Sequence, residues 1–318
     1  MNKIGILYGM EGSFPPALVD RINALIAKRG IPGLHAESLI TGGVEMAVPS
    51  GYRLIVDRIS HDIPFYRSYL KNAVLTGTTV INNPFWWSAD DKFFNYALAS
   101  KLGIAIPPTV LLPHKHFPAG TTAKSMRNLQ YPLDWDAIFQ YVGFPAFLKP
   151  HDGGGWRDVH KVDDPNEFFA AYDHSGDLCM TLQRGVEYTD YYRCYCINRD
   201  TVRIMRYDPR QPHHLRYVPG NPAPEDAMER RLVKDCLTIC NALGYDLNTV
   251  EFAVEDGVPY AIDFMNPAPD AGLESVGLDN FRWIVDAVAE MALAKALSPP
   301  PVPPLNWAAF LAESKVGS

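Results

Sequence analysis

Two periods alternate along the 318-residue chain. Short apolar runs, "KIGILYG" (3–9), "YRLIVDRIS" (52–60) and "GTTVINNP" (77–84), have the length and β-branched content of buried strands, and glycine, serine or proline closes each one. Between the first two, "PPALVDRINALIAKRG" repeats apolar residues at helical spacing, with prolines at its start and Gly30 at its end. A short helix is expected near 63–74. β-α units in this order predict a small parallel-sheet lobe over residues 1–84.

The pattern then changes. Over 85–182 it predicts a helix at 89–102, a short strand after the Pro107–Pro108 pair, and a long loop at 113–134 of the kind that carries function or disorder. A helix at 134–142, the strand "PAFLKP", a glycine run and a helix at 164–173 follow. Over 183–297 come the strand pair in "YYRCYCINRDTVRIMRYDP", a helix at 224–243, and two strands in "NTVEFAVEDGVPYAIDFMN" joined by the hairpin signal "EDG". A helix at 279–297 precedes the proline-rich tail 298–318, expected to form an extended surface strap. No internal repeat is visible.

Composition narrows the function. With 47% hydrophobic and 20% charged residues the chain is an ordinary folded protein, and its net charge of −7 argues against nucleic acid as a partner. No run approaches about 18 apolar residues and "MNKIGILYG" lacks the pattern of an export signal, so no membrane partner and a cytoplasmic location are expected. Five cysteines without a CxxC pair are expected to be free thiols acting as small core residues. "GMEGSFPP" after the first strand is no GxGxxG, which disfavours NAD.

Two stretches carry candidate chemistry. In "FPAFLKPHDGGGWRDVHKV" Lys149 ends an apolar strand, where an ammonium is costly to bury unless it meets an anion, and Gly153, Gly154 and Gly155 let backbone N–H groups approach a ligand closely. This suggests a phosphate site; a glycine turn beside a snorkelling lysine is the plainer reading. In "TVEFAVEDGVPYAIDFMNPAPD" the hairpin returns Asp263 and Asn266 beside Glu251. Two carboxylates and an amide are hard oxygen donors suited to Mg²⁺, which leaves positions open for phosphate oxygens.

The order of these features resembles the ATP-grasp superfamily, and "YRLIVDRIS", "VINNP", "DDK…LGIAIPPT" and "PAFLKP…GGG" look like landmarks of its glutathione synthetase and ribosomal-protein glutamate ligase branch. The resemblance covers about residues 3–295. It implies an α/β (α+β) ATP-grasp fold: an N-terminal Rossmann-like pre-ATP-grasp lobe (1–84), a central lobe with the glycine-rich loop (85–182), a C-terminal lobe with the metal site (183–297), and the tail. It implies ATP and Mg²⁺ as cofactors, small-molecule carboxylate and amine substrates, and a homodimer through the N-terminal lobe as a common arrangement. Lys92 and Lys149 match lysines that touch ATP phosphates, and the triple glycine matches the loop that closes over the triphosphate. "LQRGVEY" matches the adenine hinge, with Glu187 on the ribose and Gln183 where an acid is usual. Arg193 and Arg206 resemble arginines that, with Lys149, steady the acyl phosphate or the substrate carboxylate, and Glu251, Asp263 and Asn266 match the metal ligands.

One departure stands out. The family reads Glu, any residue, Asn at the last two ligands, whereas Asp263 and Asn266 are three apart and Phe264 holds the acid's place. A bulge restoring both to one side is the expectation; otherwise Asp263 binds differently or a second metal is weak. The resemblance implies a carboxylate–amine ligase working through an acyl phosphate. The alternatives are a small-molecule kinase with His213 or His214 as base, and a non-catalytic ATP-binding regulatory protein. "YDPRQPHHLRYV" (207–218), with Arg216, is a candidate border for the acceptor pocket, with surface histidines in a turn as the plainer reading.

Overall fold

The computed structural model describes residues 2–86, 91–220, 222–264 and 266–300. The first apolar run is β1 (Lys3–Leu7), and the helix after it, α1 (Phe14–Lys28), starts on prolines that fit its first turn, where no N–H partner is needed. β2 (His35–Ser38), β3 (Leu54–Asp57), α2 (Pro64–Leu75) and β4 (Thr79–Ile81) complete a parallel sheet in the order β2-β1-β3-β4. β2 was not anticipated: "HAES" is too short and polar to stand out from the loops beside it.

Next come α3 (Lys92–Lys101), β5 (Thr109–Leu112), α4 (Trp135–Val142), β6 (Ala146–Pro150), β7 (His160–Val162), α5 (Pro165–His174) and β8 (Met180–Arg184). The four strands form an antiparallel sheet in the order β5-β8-β6-β7. Its core joins Leu112, Val142, Leu148, Phe168 and Leu182, and Trp135 and Phe139 pack against it. As expected, 113–134 contains only turns.

The remainder is β9 (Asp190–Ile197), β10 (Thr201–Arg206), a 3-10 turn at His213–Leu215, α6 (Asp226–Leu243), β11 (Leu247–Glu255), β12 (Val258–Phe264), α7 (Leu273–Val276) and α8 (Leu278–Leu297). The sheet order is β10-β9-β11-β12. Asp256 and Gly257, both with positive φ, make the two-residue turn that "EDG" signals. Among the described residues no helix is long and apolar enough to cross a membrane.

By its contacts the chain gathers into two compact units. Unit 1 is 1–87, 190–252 and 263–318; unit 2 is 88–189 and 253–262. Specific contacts explain the regrouping. In unit 1, Asn82 donates to the Leu247 carbonyl at 2.7 Å and accepts from the Asp246 and Leu247 N–H groups at 2.8 and 2.9 Å, which fastens the end of β4 to the start of β11. Helix α8 lies along α1, with ion pairs Arg21–Asp286 and Arg29–Glu290. In unit 2, the hairpin tip is held where the Ala261 N–H meets the Ala105 carbonyl at 2.9 Å and the Thr189 N–H meets the Val254 carbonyl at 2.9 Å. Local pattern shows neither set of contacts, because each joins segments more than 60 residues apart. The start of the expected helix at 89–102, Trp87 and most of the proline-rich tail lie outside the described residues.

Candidate active site

Unit 2 holds the lysines and glycines. Lys149 is buried on β6, and its Nζ donates to the Tyr96 hydroxyl at 2.8 Å and to Gln183 Oε1 at 2.8 Å. Its ammonium stands 5.0 Å from the centre of the Tyr96 ring, within cation–π range. The register sets Lys149 opposite Thr181 and Phe147 opposite Gln183, so Lys149 and Gln183 are diagonal neighbours on one face of the sheet. Gln183 passes the network on, donating from Nε2 to Thr109 Oγ1 at 2.8 Å. The Tyr96 hydroxyl, while accepting from Lys149, donates to the Ile262 carbonyl at 3.0 Å.

Lys92 opens α3, which Asp91 caps by accepting from the Phe94 N–H at 2.8 Å. The Lys92 N–H reaches the His151 carbonyl at 2.9 Å, so "DDK" abuts the start of the glycine loop. Gly153 and Gly155 have φ of +75° and +71°, a region that side chains disfavour, and nothing stands within 4 Å of where a Cβ would be. The loop is open. Gly185 in "LQRGVEY" is a glycine for another reason: a Cβ there would come within 2.8 Å of the Pro145 carbonyl oxygen, which accepts the Gly185 N–H at 2.7 Å. Glu187 is exposed, with its N–H on Glu255 Oε1 at 2.7 Å, and Arg184 pairs with Glu255 at 2.8 Å.

Unit 1 holds the carboxylates. Glu251 on β11 accepts from the Tyr191 hydroxyl at 2.6 Å, and its other oxygen lies 3.4 Å from Arg193 Nε. Arg193 is buried, donates to the Tyr217 hydroxyl at 2.8 Å and lies 5.5 Å from the centre of the Tyr207 ring. Arg216 extends the cluster, reaching the Tyr207 hydroxyl at 3.4 Å. Burial pushes the Glu251 carboxyl up, the nearby Arg193 charge draws it back, and the Asp263 charge pushes it up again; the net direction is upward. Asp263 itself is exposed, near the end of β12. His213 Nε2 approaches Asp270 at 3.6 Å, and His214 is exposed in the same turn.

Two of the expected residues stand apart from this cluster. Arg206 does not share the face of Arg193. Across the β9–β10 ladder Arg206 opposes Tyr192 and Met205 opposes Arg193, and the alternation of a strand sends neighbouring residues to opposite sides. Arg206 instead pairs with Asp190 and lies over the Tyr192 ring. Asn266 is already occupied: its N–H donates to Asn248 Oδ1 at 2.9 Å, and its side-chain oxygen accepts the Ala268 N–H at 3.2 Å in an Asx turn. The bulge expected between Asp263 and Asn266 falls on Met265, outside the described residues.

No protein-family model matches the sequence, and no curated protein matches it. Solved structures do. A RimK domain ATP-grasp protein of Sphaerobacter thermophilus aligns over 92% of this chain and 99% of its own, with a TM-score of 0.61 and 16% identity. The D-alanine–D-alanine ligase of Bacillus anthracis aligns over 93% and 98%, with a TM-score of 0.59 and 17% identity. The ATP-grasp ligase PsnB, solved with a minimal precursor, Mg and ADP, aligns over 92% and 98%, with a TM-score of 0.60 and 12% identity. The chain has the ATP-grasp fold.

Within this fold the residues that sequence reading missed are the tyrosines. Tyr191 stands two before Arg193 on one strand, so period two alone was enough to put both on one face. Tyr96, Tyr207 and Tyr217 come from other segments, and no local spacing ties them to Lys149 or Arg193. Glu251 and Asp263 fit a hard cation: burial and the Asp263 charge hold Glu251 above its ordinary range, a penalty that a divalent ion would relieve. Asn266 fits less well, since its oxygen is engaged.

Proposed function

We propose that the protein is an ATP- and Mg²⁺-dependent carboxylate–amine ligase acting on small molecules. In the reaction a carboxylate oxygen attacks the γ-phosphorus of ATP, the bond to the β,γ-bridging oxygen breaks, and ADP departs. An amine then attacks the acyl carbon of the acyl phosphate, inorganic phosphate leaves, the amine loses a proton, and an amide results. No side-chain nucleophile is needed, so the protein's task is to position groups and balance charge.

The residue roles are those that the family resemblance implies. Lys149 and Lys92 are assigned to phosphate oxygens, Gly153, Gly154 and Gly155 to backbone N–H contacts with the triphosphate, and Gln183 and Glu187 to the nucleoside. Glu251 and Asp263 would hold Mg²⁺, with Asn266 contributing if its Asx turn opens; the ion supplies charge neutralisation on the phosphates. Arg193, fixed by Tyr217 and Glu251, is assigned to the negative charge of the carboxylate and acyl phosphate. Arg206 is left out of that role because it faces the other side of the sheet.

The observation that carries this reading is that Glu251, paired with a buried arginine, and Asp263 stand on adjacent strands of a fold whose neighbours are described as ligases. The test is ADP release from Mg-ATP across a panel of amino acids and other carboxylates, with hydroxylamine as a general amine. Carboxylate-dependent ADP with a matching hydroxamate supports the ligase. ADP without hydroxamate would overturn it in favour of a kinase or idle hydrolysis.

A further inference from the structure

The face of the β9–β10 ladder that carries Arg206 also carries Cys194 and Cys196, and α6 packs against these two strands. Cys236 and Cys240 stand one turn apart on α6. The sulfurs of Cys196, Cys236 and Cys240 all lie within 4.8 Å of one another, and all three residues are fully buried.

The surroundings are those of a site, not only of a packed core. Asn248, fully buried on β11, turns its side-chain N–H toward Cys240 Sγ at 3.4 Å, which sets a polar donor directly behind one of the three sulfurs. The Cys236 thiol points at the Cys194 carbonyl, 4.0 Å away. Three small apolar side chains would need none of these partners.

We propose that Cys196, Cys236 and Cys240 form a binding site for one copper(I) ion. Three soft sulfurs and no oxygen or nitrogen ligand select a soft d¹⁰ ion. Zinc in closed sites is almost always four-coordinate, and among the described residues no fourth histidine, cysteine or carboxylate joins the group. At a metal–sulfur distance of about 2.3 Å, three sulfurs in a trigonal plane are about 4 Å apart, so closure on the ion needs a shift of under about 1 Å. Binding breaks three S–H bonds, forms three copper–sulfur bonds and releases three protons to solvent, with no electron transferred. Asn248 then serves as the outer-shell donor that orients Cys240.

The test is anaerobic titration of the full chain with copper(I) in competition with the chromophoric chelator bicinchoninate. One equivalent should be withdrawn from the chelator. The affinity should fall at least 100-fold in Cys196→Ser and Cys240→Ser, and about 10-fold in Asn248→Ala. Cys179→Ser, whose sulfur lies outside the cluster, should bind like the parent. Copper-edge X-ray absorption of the loaded parent protein gives a check that needs no variant, and it should show three sulfur scatterers. No uptake by the parent, equal uptake by Cys240→Ser, oxygen or nitrogen scatterers, or retention of zinc in preference to copper(I) would each overturn the proposal.

Discussion

Lys149 and Glu251 are both charged side chains drawn in along strands, yet their surroundings differ. Lys149 rests on two neutral oxygens, the Tyr96 hydroxyl and the Gln183 amide, and on an aromatic face. Glu251 is pushed up chiefly by burial, with a smaller push from the Asp263 charge, and the Arg193 charge draws it back only in part. Hydrogen bonds to a hydroxyl and an amide oxygen help to hold an ammonium away from water. Crowded carboxylates keep an attraction for a cation. One fold thus holds opposite buried charges by different choices of neighbour.

The comparison breaks first at those residues. Lys149→Ala and Asp263→Ala should each lower the ADP-release rate by on the order of 10²–10³, the cost of losing one preorganised charge on the reacting phosphates. Asp263→Ala should at the same time leave the melting temperature of the ligand-free protein unchanged or higher, because it removes a charge that acts against Glu251. Full activity in either variant would end the assignment.

Next in size is the contrast between the two arginines. Arg193→Lys keeps the charge but loses the planar fork that spans Tyr217 and Glu251, and a rate loss of at least about 10-fold is expected. Arg206→Lys should leave the rate within about two-fold, and chemical denaturation should register a loss of at most about 1 kcal/mol for its part-exposed pair with Asp190. Equal rate losses would refute the two-face description of β9 and β10.

Tyr96→Phe sharpens the comparison from the lysine side. It removes an oxygen that accepts from Lys149 and donates to the Ile262 carbonyl, so a loss of about 1–3 kcal/mol in denaturant unfolding is expected, with a raised KM for ATP.

The smallest effect lies away from both sites. The Lys3 ammonium, donating at 2.9 Å, and the Tyr52 hydroxyl, at 2.8 Å, hold the Glu37 carboxyl down at about 2. A carboxyl depressed in the folded state contributes stability that is full above its unfolded value, near 4.5, and is lost as pH falls toward 2. Glu37→Gln should flatten that part of the acid-unfolding curve, followed by circular dichroism between pH 5 and pH 2.

Much of the fold was legible because its elements are locally consistent. Prolines begin α1, α2 and α5, "EDG" makes the β11–β12 turn, and the apolar runs become β1, β3, β4 and β6. Within the candidate site, Glu251 and Asp263 were readable from a hairpin that folds them back together, and Lys149 from an apolar strand that ends in a charge. The Arg193–Arg206 pairing was not. Both are arginines on adjacent strands, and only the register, with Arg193 opposite Met205, shows that they point to opposite faces.

The sequence by itself determined the kinds of element, their order and the residue types able to carry phosphate and metal chemistry. These depend on periods of two and 3.6 residues and on turn residues, all set within a few positions of each other. Only the tertiary structure decided that residues 1–87 group with 190–252, that a tyrosine underlies each key charge, and that three cysteines from β9 and α6 meet at one point. Contacts of that kind join segments tens to hundreds of residues apart, and they exist only once the strands have chosen their neighbours.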